Sequence, residues 1–151
     1  MVRTAATFPV RCRTQADRAP AERIPGAATL ATAAIAKLRV IGDRIDRHLW
    51  AAEIRSMAGN RLWLSPAYGA DRVSIHFSWQ REPDAVQAIT AEIEALLLPL
   101  GARPHWGKIM HARAEQLATL YPYLPAFREL AQSCDPGSKF RNSFLDVHVF
   151  G

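Results

Sequence analysis

Glu53-Ile54-Arg55 sets a carboxylate and a guanidinium two residues apart, and Arg103-Pro104-His105-Trp106-Gly107-Lys108 gathers an imidazole, an indole and an ammonium within four positions. On an extended strand residues i and i+2 leave the same face, so Glu53 and Arg55 project together. A planar guanidinium offers two parallel donors to a developing alkoxide, while a neighbouring carboxylate keeps it aligned and accepts a hydroxyl proton. An ammonium beside bulky rings either holds its charge near a substrate oxygen or is desolvated enough to act as a base. Each group also has a plainer role. Glu53 and Arg55 could form a surface ion pair of little consequence, and Trp106 could pack in a core with Lys108 extending to water.

The elements that must carry these groups follow from periodicity. Ile35, Leu38, Ile41, Ile45 and Leu49 recur at three and four residues, which predicts an amphipathic helix over Thr32 to His48. Trp50 to Met57 reads as a strand, followed by the turn signal Gly59-Asn60, a short Leu62-Trp63-Leu64 segment and a Ser65-to-Gly69 loop. Val73, Ile75, Phe77 and Trp79 alternate with Ser74, His76, Ser78 and Gln80, the period of a half-buried strand. Pro83 suits a first helical turn, and Val86, Ile89, Ile93, Leu96, Leu97 and Leu100 continue that helix to Pro99. Gly101 to Trp106 is expected as a strand or extended loop, Ala112 to Leu120 and Leu124 to Cys134 as helices, and Ser138 to Gly151 as irregular. This order predicts an α+β fold, an antiparallel sheet with helices packed on one face.

On that sheet Ser74, His76, Ser78 and Gln80 face away from the apolar side, as a polyol-binding wall or simply as the solvent side. A lone histidine with no partner in sequence makes neither a triad nor a metal site, so His76 is expected in a structural or solvent role.

With 151 residues and 49% apolar composition the chain suffices for one domain with a core. Residues 1–33 hold five Arg against Asp17 and Glu22 and carry +3 of the net +5, so the remainder is nearly neutral. That spread argues against a nucleic-acid partner, which wants cations clustered on one folded face. Cys12 and Cys134 lack zinc-ligand spacing, so no metal is expected, and free thiols suit a cytoplasmic setting, peripheral membrane association being left open. No apolar run approaches the ~18 residues of a membrane span. Residues 1–33 show neither period and are expected to be a disordered or unrelated extension.

Glu53-x-Arg55 ahead of Trp63-Leu64-Ser65-Pro66, then Ser78 on the alternating strand, His105-Trp106-Gly107-Lys108 after the long helix, and Asp135-Pro136-Gly137-Ser138-Lys139-Phe140-Arg141-Asn142 occur in one order. Together they resemble the C-terminal part of the FAD-dependent alditol oxidases and the D-arabinono-1,4-lactone and gulonolactone oxidases. The resemblance spans residues 34–151 and implies a substrate-binding, or cap, domain of a two-domain flavoprotein oxidase. It implies oxidation of a CH–OH group of an alditol or aldonolactone, with oxygen as acceptor and FAD held mainly by a domain outside this region. By the same resemblance Arg55 and Lys108 stabilise the alkoxide, Glu53 orients Arg55 and contacts substrate, and Ser78 and His105 bind or support the substrate. Lys108, Lys139, Arg141 and Asn142 are implied as contacts to the flavin side, and an FAD-binding domain or chain as the partner. No Gly-x-Gly-x-x-Gly or phosphate loop occurs, so an independent grip on a dinucleotide is not expected. The rival expectations are an inactive remnant or stand-alone carbohydrate-binding module, and an oligomerisation domain.

Overall fold

A computed structural model describes residues 25–151 of the chain. The expectation of disorder for residues 1–24 lies outside the described residues, whereas residues 25–33 belong to the first helix. That helix, α1 (Pro25–Val40), begins before Thr32 and gives way at Ile41 to the short α2 (Gly42–Asp46), so the expected single helix is a broken pair. The two strands follow, β1 (Leu49–Met57) and β2 (Arg72–Trp79), then α3 (Pro83–Leu97) with a tight 3-10 turn over Leu98–Leu100. Gly101, at φ +76°, closes this run in the left-handed conformation that a glycine adopts without steric cost. The later helices are α4 (Ala114–Leu120), α5 (Leu124–Cys134) and α6 (Ser143–Leu145), the last continuing as a wide turn over Asp146–Phe150.

The fold is α+β: β1 and β2 form an antiparallel two-stranded sheet, and helices cover one of its faces. The pairing places Glu53 opposite His76, Arg55 opposite Ser74 and Ala51 opposite Ser78, so these residues share one face. The other face contributes Leu49, Ile75, Phe77 and Trp79 to a cluster with Leu38, Ile41 and Ile45 of the α1–α2 region and Ile89 and Ile93 of α3. β1 is an edge strand, and Trp50 and Ile54 on it are largely exposed.

A second cluster holds the C-terminal half together. Met110, Ala112, Leu117, Tyr121, Leu124 and Val149 are buried there, with Trp106, Leu98 and Phe150 packed against them. The tail expected to be irregular is part of this cluster. Asn142 accepts from Leu145 N at 2.9 Å as a helix cap. His148 is buried and its Nδ1 donates to the Ala112 carbonyl at 2.7 Å, and Arg128 donates to the Val149 carbonyl. The sequence of this tail has too few turns to show a helical period, so its order comes from partners distant in the chain. Residues 101–106 are a loop, not a strand.

Candidate functional site

Between the two clusters runs the segment 101–113, which has no regular structure and carries His105 and Lys108. Buried backbone outside helices and sheets must find other partners. Here side chains supply them. Trp106 Nε1 donates to the Leu64 carbonyl at 2.8 Å, and Tyr121 Oη donates to the Pro104 carbonyl at 3.0 Å. Tyr121 is fully buried, which pushes its phenol well above the ordinary range and keeps it a neutral donor. Arg103 donates to the carbonyls of Leu120, Pro66 and Tyr68. At the far end, the Glu94 carboxylate of α3 accepts the backbone N–H of His111 at 3.0 Å and that of Ala112. The loop is therefore fixed from both ends and from the middle.

So held, the loop and β2 enclose a cleft of about 490 Å3 that also touches α1 and α3. Ser74, His76, His105 and Lys108 line it. His76 is only 5% exposed, although its strand position had suggested a solvent face. Its Nδ1 lies 3.5 Å from Glu53 Oε2, an ion-pair distance outside hydrogen-bond geometry, and neither ring nitrogen has a hydrogen-bond partner among the described residues. Glu53 is in turn joined to Arg55, and both side chains remain substantially open to solvent. Partial burial acts to raise the Glu53 carboxyl, but the Arg55 charge and hydrogen bond outweigh it, with His76 adding to them, and the group sits below its usual range. Burial first, then the Lys108 charge and more weakly His76, hold the His105 ring below the ordinary histidine range. His105 Nδ1 accepts from Gly107 N at 3.1 Å, as a neutral ring can.

The structure sets Glu53 at ion-pair distance from both Arg55 and His76, and it lines the cleft with His76, His105 and Lys108, whereas Glu53, Arg55 and Ser78 do not line it. Ser78 is half-buried on the same sheet face, opposite Ala51. The C-terminal candidates do not line the cleft. Arg141 pairs with Asp146 and lies over the Phe150 ring, Asn142 caps α6, and Lys139 meets Asp135 through its backbone N–H. Among the described residues no group of three His, Cys, Asp or Glu could hold a metal ion. No described helix is long and apolar enough to cross a membrane.

A buried imidazole without a hydrogen bond among the described residues and an ammonium, both lining one cleft, with a paired carboxylate and guanidinium beside the imidazole, suit recognition of hydroxyl-rich molecules and stabilisation of negative charge on oxygen. The D-arabinono-1,4-lactone oxidase family model matches residues 4–148. This chain belongs to that family. The match takes in residues ahead of Ala34, where the sequence resemblance was expected to begin. An alditol oxidase of a Streptomyces species is 39% identical over 105 residues, 70% of this chain and 25% of that protein. An L-gulonolactone oxidase of Scyliorhinus torazame is 26% identical over 123 residues, 76% of this chain and 28% of that protein. An L-gulono-1,4-lactone dehydrogenase of Mycobacterium tuberculosis is 28% identical over 98 residues, 64% of this chain and 22% of that protein. The chain spans about a quarter of the length of these relatives.

The residue that sequence reasoning undervalued is His76. The signal was present in the strand order, because residue 53 pairs with residue 76 when two adjacent strands close antiparallel. What could not be read was the aperiodic loop that lines the cleft together with the histidine.

Proposed function

We propose that this chain forms the substrate-facing part of an FAD-dependent oxidase acting on the CH–OH group of an alditol or aldono-1,4-lactone. The observation that carries this reading is His76: a buried imidazole, hydrogen-bonded at neither nitrogen among the described residues, that lines the cleft bearing Lys108 and stands 3.5 Å from Glu53 of the Glu53–Arg55 pair. Leaving such a group unsatisfied costs about 1–3 kcal/mol, a cost that a bound hydroxyl would offset. Lys108, half-buried and with no hydrogen-bond or ion-pair partner for its ammonium among the described residues, fits a contact with the electron-rich edge of a flavin or with substrate oxygen. Arg141 and Asn142, engaged within their own segment, fit a flavin contact less well.

When bound, FAD supplies two-electron oxidation of the carbinol, and dioxygen is reduced to hydrogen peroxide as it is regenerated. The residues of this chain position the substrate. Arg55, aligned by Glu53, and Lys108 stabilise the negative charge that develops on the carbinol oxygen. His76 and Ser78 hydrogen-bond neighbouring hydroxyls, and His105, neutral near pH 7, supports the loop from which Lys108 projects. The Trp106 ring shapes the wall behind them.

Hydrogen peroxide release from xylitol or D-arabinono-1,4-lactone, with the chain mixed with an FAD-binding polypeptide of the family, tests the reading. Turnover is expected, with Lys108→Met reducing kcat/KM by about 100-fold or more. A chain that binds xylitol and never turns it over would instead be a carbohydrate-binding module.

A further inference from the structure

Arg72 opens β2 and lines the same cleft, half-buried, and its Nε is buried with no hydrogen-bond partner among the described residues. Arg103 lines the cleft as well. Its Nε donates to the Leu120 carbonyl at 2.9 Å and its Nη1 to the carbonyls of Tyr68 at 3.0 Å and Pro66 at 3.3 Å, with the guanidinium 5.2 Å from the Tyr121 ring centroid. Carbonyls and a ring orient this charge, but none of them neutralises it.

The two guanidinium groups also feel each other, since burial and then the Arg72 charge lower the proton affinity of Arg103. Among the described residues, neither arginine takes part in an ion pair. The carboxylates bordering the cleft are engaged with backbone: Asp71 Oδ1 accepts from Gly59 N at 2.7 Å, and Glu94 accepts from His111 N and Ala112 N. Gly59 is fitted to its contact, because a Cβ there would stand 2.8 Å from the Ala70 carbonyl carbon. Two like charges that share a cleft without an ion-pair partner among the described residues, one with a buried unsatisfied donor, are costly for a fold to keep. An anion would satisfy both, and a guanidinium fork matches the oxygens of a carboxylate or phosphate.

We propose that Arg72 and Arg103 form an anion subsite in the cleft, which takes the carboxylate or phosphate monoester of an acidic sugar or polyol whose hydroxyl-bearing part extends toward His76. The sugar in this assignment rests on the oxidase reading; the anion does not. A cleft of about 490 Å3 lies within the range that holds small ligands.

Calorimetry at low ionic strength, on the full chain, with D-gluconate, D-glucitol 6-phosphate, inorganic phosphate and xylitol separates the possibilities. The expected result is that at least one anionic sugar binds ten-fold or more tightly than xylitol, that added salt weakens it, and that inorganic phosphate competes. Whichever of the two gains more identifies the carboxylate or the phosphate as the preferred group. Arg72→Gln should bring that ligand down to the xylitol level with the circular dichroism unchanged, and Arg44→Gln, on an exposed pair with Glu92, should leave it as it was. Arg72→Lys keeps the charge and loses the fork, and it should weaken the anion at least three-fold with no change for xylitol; it carries the test if Arg72→Gln does not fold. Inorganic phosphate bound in an Arg72-dependent way, with no sugar binding at all, would keep the subsite and remove the oxidase reading. Anions binding no tighter than xylitol, or equally well in both Arg72 variants, would overturn the subsite.

Discussion

The helix–sheet half and the C-terminal helical half each close on a small apolar cluster, yet they hold their share of the candidate site by different means. β1 and β2 place Glu53, Arg55, Ser74, His76 and Ser78 through strand register, a repeated backbone pattern in which one pairing fixes all the others. The loop bearing His105 and Lys108 has no such pattern and depends on separate bonds from Trp106, Tyr121, Arg103 and Glu94. Register is robust to the loss of one side chain. A loop pinned at a few points is not, so the two halves of the site should respond differently to substitution.

The largest effect should come from the cluster beneath the loop. Leu117 is fully buried, and Leu117→Ala should lower unfolding stability by about 3 kcal/mol in urea denaturation. A loss below about 1 kcal/mol would mean that this half does not pack as described. Next, Glu94→Gln should cost about 1–2 kcal/mol and speed amide exchange at His111 and Ala112, because an amide replaces a carboxylate that accepts two backbone donors. Its neighbour on α3 gives the contrast: Glu92, exposed and paired with Arg44, should change stability by less than about 0.5 kcal/mol as Glu92→Gln. Equal effects for the two glutamates would remove the distinction between a pinned loop and a surface pair.

The smallest effect is one of pH. His105 has a folded-state pKa below its ordinary 6.5, so below that pH the unfolded chain binds more protons than the folded one. The stability contributed by keeping this ring neutral is present in full above about pH 6.5 and is lost as pH falls from there through the depressed folded value. In His105→Asn the slope of stability against pH just below 6.5 should be shallower than in the parent chain, measured by denaturation at several pH values. An unchanged slope would show that the loop does not bury this imidazole.

Legibility in the sequence divided along the same line. The alternation from Val73 to Trp79 and the stripe from Val86 to Leu97 were open to reading because each repeats within a single element. Glu53 and Arg55 could be placed on one face for the same reason, and the family resemblance supplied Lys108. The burial of His76 was hidden, since alternation tells which face a residue takes and not what lies above it. The C-terminal tail was misread as irregular because Val149, His148 and Asn142 are ordered by contacts with Ala112, Arg128 and their own short turns, not by a period. The break at Ile41 shows the opposite failure: one apolar stripe continues across two helices, so the pattern alone could not mark the join.

The central claim is that groups from both halves form a single binding site. Nuclear magnetic resonance of the labelled chain, titrated with xylitol, examines it directly by following the side-chain signals of Arg55, His76, His105 and Lys108 alongside that of Arg141. The expected result is that the first four shift together along one saturable curve while Arg141 stays still. Saturation that moves Arg141 and leaves His76 and Lys108 unchanged would contradict the claim.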